Sequence, residues 1–411
     1  MTFFKKILVS SICMSVIFLL ANCSDGNKIN KKNTAAELEN QQSVSLKSTP
    51  QASPQPSATF DQAKSEQLTN TAKFLAGISV DSNSSLSQLQ NNKSWLLHHR
   101  FFENAWSKLE TSQLTKVRQW SQQELKQIHS QSVFYPFSGP DFLYAYSFFP
   151  KGKEYVLVGL EPVGSIPDLA SLSENKRDLK LQEVRGSLYA ILQFSFFLTN
   201  EMKVDLQKQG VLPILYVFLA RTENRILDVQ QIGLDRNAKI QPFQKGMVSG
   251  VKMTFLPKGE SQPRNLYYFS TDLSDGGLKK RPEFYKFISQ LDKKLTYLKA
   301  ASYLMYYENF SEIKKLILTQ SHCVLQDDSG MPFKAFENSK WDLKFYGNYT
   351  TPIGLFANRY QSDLRKIYLK NKSIKPLNFG VGYKFGVNDS NLMLAEVKTF
   401  KKLHKSTDVD R

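Results

Sequence analysis

The spacing of apolar positions changes several times along this chain, and each change marks an element. From Ser94, the positions Trp95, Leu96, Phe101, Phe102, Trp106 and Leu109 follow a helical period. A second helix is predicted over 114–127. Near Ser132 the texture becomes that of a strand, which runs through Phe134-Tyr-Pro-Phe into a turn punctuated by Gly139 and Pro140. Residues 155–160 read as a buried strand and 179–208 as a long helix. Residues 211–220 are nine apolar residues and one Pro, and read as a central strand. Strands at 226–234, 247–256 and 265–271 follow, the last two forming a hairpin around Lys258-Gly259. Beyond Gly276-Gly277, helices are predicted at 282–291 and 295–318. Strands at 323–326 and 341–349, a helix at 361–369 and a final strand at 377–385 complete the pattern.

Interleaved helices and hairpin-connected strands specify an α+β fold. We expect a mixed, largely antiparallel sheet with helical layers, preceded by a helical segment. Residues 65–411 are expected to form one domain, helical over 85–130 and sheet-containing over 131–390. No internal repeat interrupts it.

The N-terminus changes the picture. Lys5 and Lys6 precede a mostly apolar, uncharged stretch over 7–20. That is the layout of a signal peptide, and at about 15 residues it falls short of the roughly 20 that span a bilayer. It ends in Leu20-Ala21-Asn22-Cys23, which resembles the bacterial lipobox. The resemblance implies cleavage after residue 22 and lipid on Cys23. Ser24, where enteric bacteria place an Asp for inner-membrane retention, implies an outer-membrane destination. Residues 23–64 are rich in Asn, Gln, Ser, Thr and Lys, with Pro50, Pro54 and Pro56 near the end. Such a composition cannot bury enough apolar surface to fold. It reads as a tether that holds the domain on the order of 30 Å from the membrane.

The chain has a formal net charge of +17. From Leu364 to Arg411 there are eleven Lys or Arg and four Asp or Glu. The expected partners are the membrane, through Cys23, and anionic envelope lipid or polymer; the alternative is a solvated Lys-rich surface. The expected compartment excludes nucleic acid. Cys13 leaves with the signal peptide and Cys23 carries lipid, so Cys323 has no intramolecular partner for a disulfide.

Two segments carry the densest candidate chemistry. One is Phe134-Tyr-Pro-Phe-Ser-Gly-Pro-Asp-Phe-Leu-Tyr-Ala, which leads into 159–164. The other is Gln326-Asp-Asp-Ser-Gly-Met-Pro-Phe, which leads into 341–356 and 361–364. They resemble segments of an uncharacterised family of exported bacterial lipoproteins with no known activity, so the resemblance implies no functional residue. Asp327 and Asp328 end a strand at a turn, where carboxylates serve as a general base or cation ligands, or simply brace an Asx turn. Ser138 and Asp141 offer caps for a helix that begins at Phe142. His322 adjoins Cys323, but neighbours in a strand face apart. None of the histidines has metal-ligand spacing, and no nucleotide, cofactor or nucleophile-elbow motif occurs. Tyr303, Tyr306, Tyr307 and Phe310, at helical spacing, read as core or as a sugar-stacking groove.

The expectation is a non-catalytic envelope lipoprotein. The alternative is a hydrolase of envelope material that uses Asp141, Asp327 and Asp328, with His322 beside them. An enzyme requires these side chains to converge in a concave pocket.

Overall fold

The structure is a computed structural model that describes residues 60–128, 131–194, 210–292 and 294–398. The expected signal peptide, Cys23 and nearly all of the expected tether lie outside the described residues, as do His129, His404 and residues 195–208 of the predicted long helix.

Strand pairing builds one ten-stranded sheet in the order β4-β3-β5-β6-β2-β1-β7-β8-β10-β9. Its strands are β1 (Ser132–Tyr135), β2 (Glu154–Gly159), β3 (Asn224–Leu234), β4 (Ile240–Pro242), β5 (Val248–Pro257), β6 (Arg264–Ser270), β7 (Lys294–Leu298), β8 (Cys323–Gln326), β9 (Trp341–Gly347) and β10 (Asn391–Val397). The α+β fold with a mixed sheet and helical layers is therefore present. Its antiparallel pairs lie at the two flanks. The five central strands, β6-β2-β1-β7-β8, are all parallel.

Alternation along these strands sends side chains to two separate cores. Val133, Tyr135, Tyr155, Leu157, Leu295, Tyr297, Cys323 and Leu325 face one core. Phe134, Val156, Val158, Leu298 and Val324 face the other. The first core is covered by α1 (Gln62–Leu75), α2 (Lys93–Leu109), α3 (Thr115–Glu124), α4 (Phe142–Phe148), α5 (Glu174–Phe194) and α6 (Leu212–Arg221). The second is covered by α7 (Asp275–Lys280), α8 (Pro282–Ser289) and α9 (Ser311–Gln320). A further helix, α10 (Ser362–Lys370), lies beside β9 and β10: the Tyr368 hydroxyl donates to the carbonyls of Tyr346 and Leu392. Strands buried on both faces read as continuous apolar runs.

Four expectations are corrected. Residues 211–220 form helix α6, not a central strand. An unbroken apolar run carries no period, and Pro213 suits a first helical turn while it would leave a gap in a central ladder. Residues 295–318 do not form one helix: β7 comes first, and Ala300, at φ +54°, breaks the chain before two short 3-10 turns and α9. Residues 377–385 are not a strand but a loop with one isolated bridge, Val381 to Lys384, and the last strand is β10. Helix α1 begins at Gln62, within the stretch assigned to the tether. Asp61 caps it, Lys64 pairs with Asp228, and the Ser65 hydroxyl donates to the Ile226 carbonyl.

Gly347 ends β9 at φ +79°, and a Cβ there would lie 2.1 Å from the Ser390 carbonyl oxygen. Gly347→Ala is expected to destabilise the domain by at least about 1–2 kcal/mol, the left-handed penalty alone. Urea denaturation checks this; a loss close to zero means the turn relaxes freely.

Candidate functional site

In the parallel centre, the chain leaves β1 for β2 on one side and returns at β7 on the other. The carboxyl ends of β1 and β7 thus flank the point where strand order reverses, the usual ligand position in open sheets of this kind. Three of the candidate carboxylates gather at this edge.

Asp141 follows β1 and caps α4, its Oδ1 accepting from Tyr144 N at 3.1 Å. Its Oδ2 accepts from the Tyr135 hydroxyl at 3.1 Å and lies 2.6 Å from Lys299 Nζ. Lys299 is the residue after β7. Both partners are buried, and the Lys299 ammonium also sits 3.7 Å from the centroid of the Tyr144 ring, a desolvated cation–π contact. Burial lowers the Lys299 pKa, and the Asp141 charge opposes that. Ser138 does not cap the helix. Its hydroxyl accepts from Val158 N at 3.0 Å and fastens the turn to β2.

Asp327 and Asp328 follow β8. Asp327 forms an Asx turn: its Oδ1 accepts from the Ser329 amide at 2.9 Å and from the Ser329 hydroxyl. Its Oδ2 accepts from the Ala300 amide at 3.3 Å. Burial, with the Asp328 charge beside it, pushes Asp327 up to about 7. Asp328 Oδ2 accepts from the Tyr303 hydroxyl at 2.5 Å and its Oδ1 from Asn391 at 3.1 Å. Burial raises its pKa as well, against those two hydrogen bonds.

The loop wrongly expected to be a strand forms the roof. Gly382, at φ +55°, turns the chain so closely over the cluster that a Cβ would lie 2.2 Å from Asp327 Oδ2. Tyr303 packs in a triangle with Phe356, 4.3 Å away, and Tyr383, 6.1 Å away, whose own rings are 5.9 Å apart. Of the tyrosine series, Tyr303 and Phe310 are buried, Tyr303 giving its hydroxyl to Asp328, whereas Tyr306 and Tyr307 are half-buried under the Arg359 guanidinium. Ala300 holds a strained backbone at the centre of this arrangement, as residues at functional or tightly braced sites often do.

His322 does not join them. It precedes β8, whereas Asp327 follows it, so the strand separates the two. Cys323 is buried in the first core, and burial raises its thiol pKa well above the usual range. No Cys–His pair forms along this strand, because the two side chains leave it on opposite faces.

Lys299 was not singled out from the sequence; its one local signal is a cation directly after Leu295-Thr-Tyr-Leu298. Among the described residues, no group of three His, Cys, Asp or Glu side chains is arranged to hold a metal ion, and no helix is long and apolar enough to cross a membrane. No family model matches the chain, and neither does any curated protein or solved structure.

Proposed function

We propose that this protein is a lipid-anchored envelope protein whose folded domain is a non-catalytic interaction or structural module, tethered through Cys23. One observation carries the non-catalytic part. Every carboxylate oxygen of Asp141, Asp327 and Asp328 already accepts from a donor inside the protein, and all three side chains are buried. A general base needs a carboxylate directed at substrate, and these six oxygens are directed at Tyr135, Lys299, Tyr144, Ser329, Ala300, Tyr303 and Asn391. Buried polar networks hydrogen-bonded in this way fix one arrangement of a core.

The lipid anchor rests on the sequence around Cys23. Cys23→Ser is expected to move the protein from the membrane to the soluble fraction and to abolish incorporation of a fatty-acid probe. Labelling that persists in the variant refutes the anchor.

A hydrolase is the second reading. Its support is the position of the cluster at the strand-order reversal, together with an Asp327 carboxyl near 7. A panel of chromogenic esters, phosphomonoesters and glycosides separates the two readings. Turnover by the wild type that vanishes in Asp328→Asn, at an unchanged melting temperature, establishes the hydrolase. A lowered melting temperature with no turnover in either protein supports the module.

A further inference from the structure

At the opposite, amino edge of the parallel centre lies a cavity of about 430 Å³ between the end of α3 and the turn from α4 into β2. Leu125, Ile128, Phe148, Phe149 and Pro150 contribute apolar surface to it. Lys126, Lys151 and Lys153 stand at the same cavity, exposed to solvent, and no ion pair engages any of them among the described residues. The nearest acid along the chain, Glu154, accepts from Ser132.

The wall between the two is braced. Gly152 N donates to the Phe149 carbonyl at 3.1 Å and Lys153 N to the Gln131 carbonyl at 3.0 Å. The Tyr155 hydroxyl donates to the Phe149 carbonyl, and the Ser121 hydroxyl to the Phe148 carbonyl. Arg264, held by Glu260, donates to the Pro150 carbonyl. Lys151 and Lys153 thus project from backbone that is already fixed, which lowers the ordering cost of binding.

An apolar chamber with a cationic rim selects an amphiphile that carries a negative headgroup. The volume lies in the range of small-ligand sites, roughly 300–1,000 Å³. At about 30 Å³ per water-sized group it accommodates about fourteen such groups, the bulk of one acyl chain and too little for a two-chain lipid. We propose that this cavity binds one acyl chain of an anionic membrane phospholipid, with the phosphate among Lys126, Lys151 and Lys153. The proposal rests on the module reading, for which it names a partner, but the cavity's own chemistry can be tested without the anchor.

The test is calorimetric titration of the purified full-length protein with lysophosphatidylglycerol below its micelle concentration. Lysophosphatidylcholine and glycerol phosphate serve as controls. Lysophosphatidylglycerol is expected to bind about tenfold more tightly than lysophosphatidylcholine, and glycerol phosphate not to bind measurably. The triple variant Lys126→Ala, Lys151→Ala, Lys153→Ala is expected to bind lysophosphatidylglycerol about tenfold more weakly, as three exposed charge contacts would account for. Its affinity for lysophosphatidylcholine and its melting temperature should not change. Leu125→Trp, which fills the chamber, should abolish both lipid signals. The proposal is overturned by absent lipid binding, by equal affinity for the two lipids, by an unaffected triple variant, or by glycerol phosphate binding as tightly as the lipid. A failed titration beside intact membrane fractionation leaves the tethered module standing. A soluble wild-type protein that still binds the lipid overturns the tether instead.

Discussion

Lys299→Met is expected to lower the unfolding free energy by about 3–5 kcal/mol, the usual result of leaving one partner of a buried ion pair uncompensated. Lys299 Nζ lies 2.6 Å from Asp141 Oδ2, and both side chains are almost fully buried. Without the ammonium, Asp141 keeps its hydrogen bonds from Tyr135 and Tyr144 but loses the formal positive charge paired with it among the described residues. The second half of the expectation is a rescue. Asp141→Asn added to Lys299→Met removes the stranded charge, and the Asn side chain still accepts from Tyr144 N. The double variant should therefore recover most of the loss, giving a large coupling energy in the cycle. Urea denaturation of the four proteins measures it. If Lys299→Met stays within about 1 kcal/mol of wild type, the range of an exposed pair, then water reaches the cluster and its sealed character is wrong.

Asp327→Asn is expected to change how stability depends on pH. The Asp327 carboxyl, raised to about 7 by burial and by the Asp328 charge, holds a proton in the native state that the unfolded chain has released. Its contribution is complete below about pH 4 and is lost as pH rises through about 7. His98 opposes it. Burial pushes His98 down to about 3. Its neutral ring is fixed by donation from Nε2 to the Leu75 carbonyl at 2.7 Å and by acceptance at Nδ1 from Arg185 at 3.2 Å. The unfolded chain protonates this histidine and the native state does not, so its contribution is present above about pH 6.5 and is lost as pH falls toward 3. Between about pH 4 and 6.5 the two effects have opposite slopes, each at most about 1.4 kcal/mol per pH unit. With Asp327 replaced, its opposing slope is removed, and stability should rise with pH more steeply than in wild type by up to that amount. Denaturation curves at three pH values in this window decide it. Parallel profiles for the two proteins would show that Asp327 is ionised throughout.

Both expectations depend on residues that are far apart in the sequence, and this marks where sequence reading ended. Wherever local physics dominates, the chain was legible. Asp141 caps a helix and Asp327 braces an Asx turn because each acts on backbone two or three residues away. The strands β1, β2, β3, β5, β6, β8 and β9 were expected within a few residues of where they lie, β5 and β6 as a hairpin around Lys258-Gly259. The α+β class followed from the interleaving of the elements.

Tertiary structure decided the rest. Residues 211–220 are an unbroken apolar run without a period, so apart from Pro213 at the first helical turn the neighbours that bury them decide for a helix, while 295–298 become a strand between β1 and β8. Strand order is non-local as well. The sequence showed the β5–β6 hairpin, but the parallel centre exists only after β7 returns to the far side of β1. That return brings Lys299 to Asp141 across 158 residues and sets Ala300 against Asp327. The Gly382 loop then closes over both. The expectations of a signal peptide, a lipobox and a polar tether rest on composition and short-range order alone, because export machinery and solvent act on the unfolded chain. A buried charge cluster and a lysine-rimmed cavity are properties of packing, and packing is settled by contacts that have no fixed spacing in sequence.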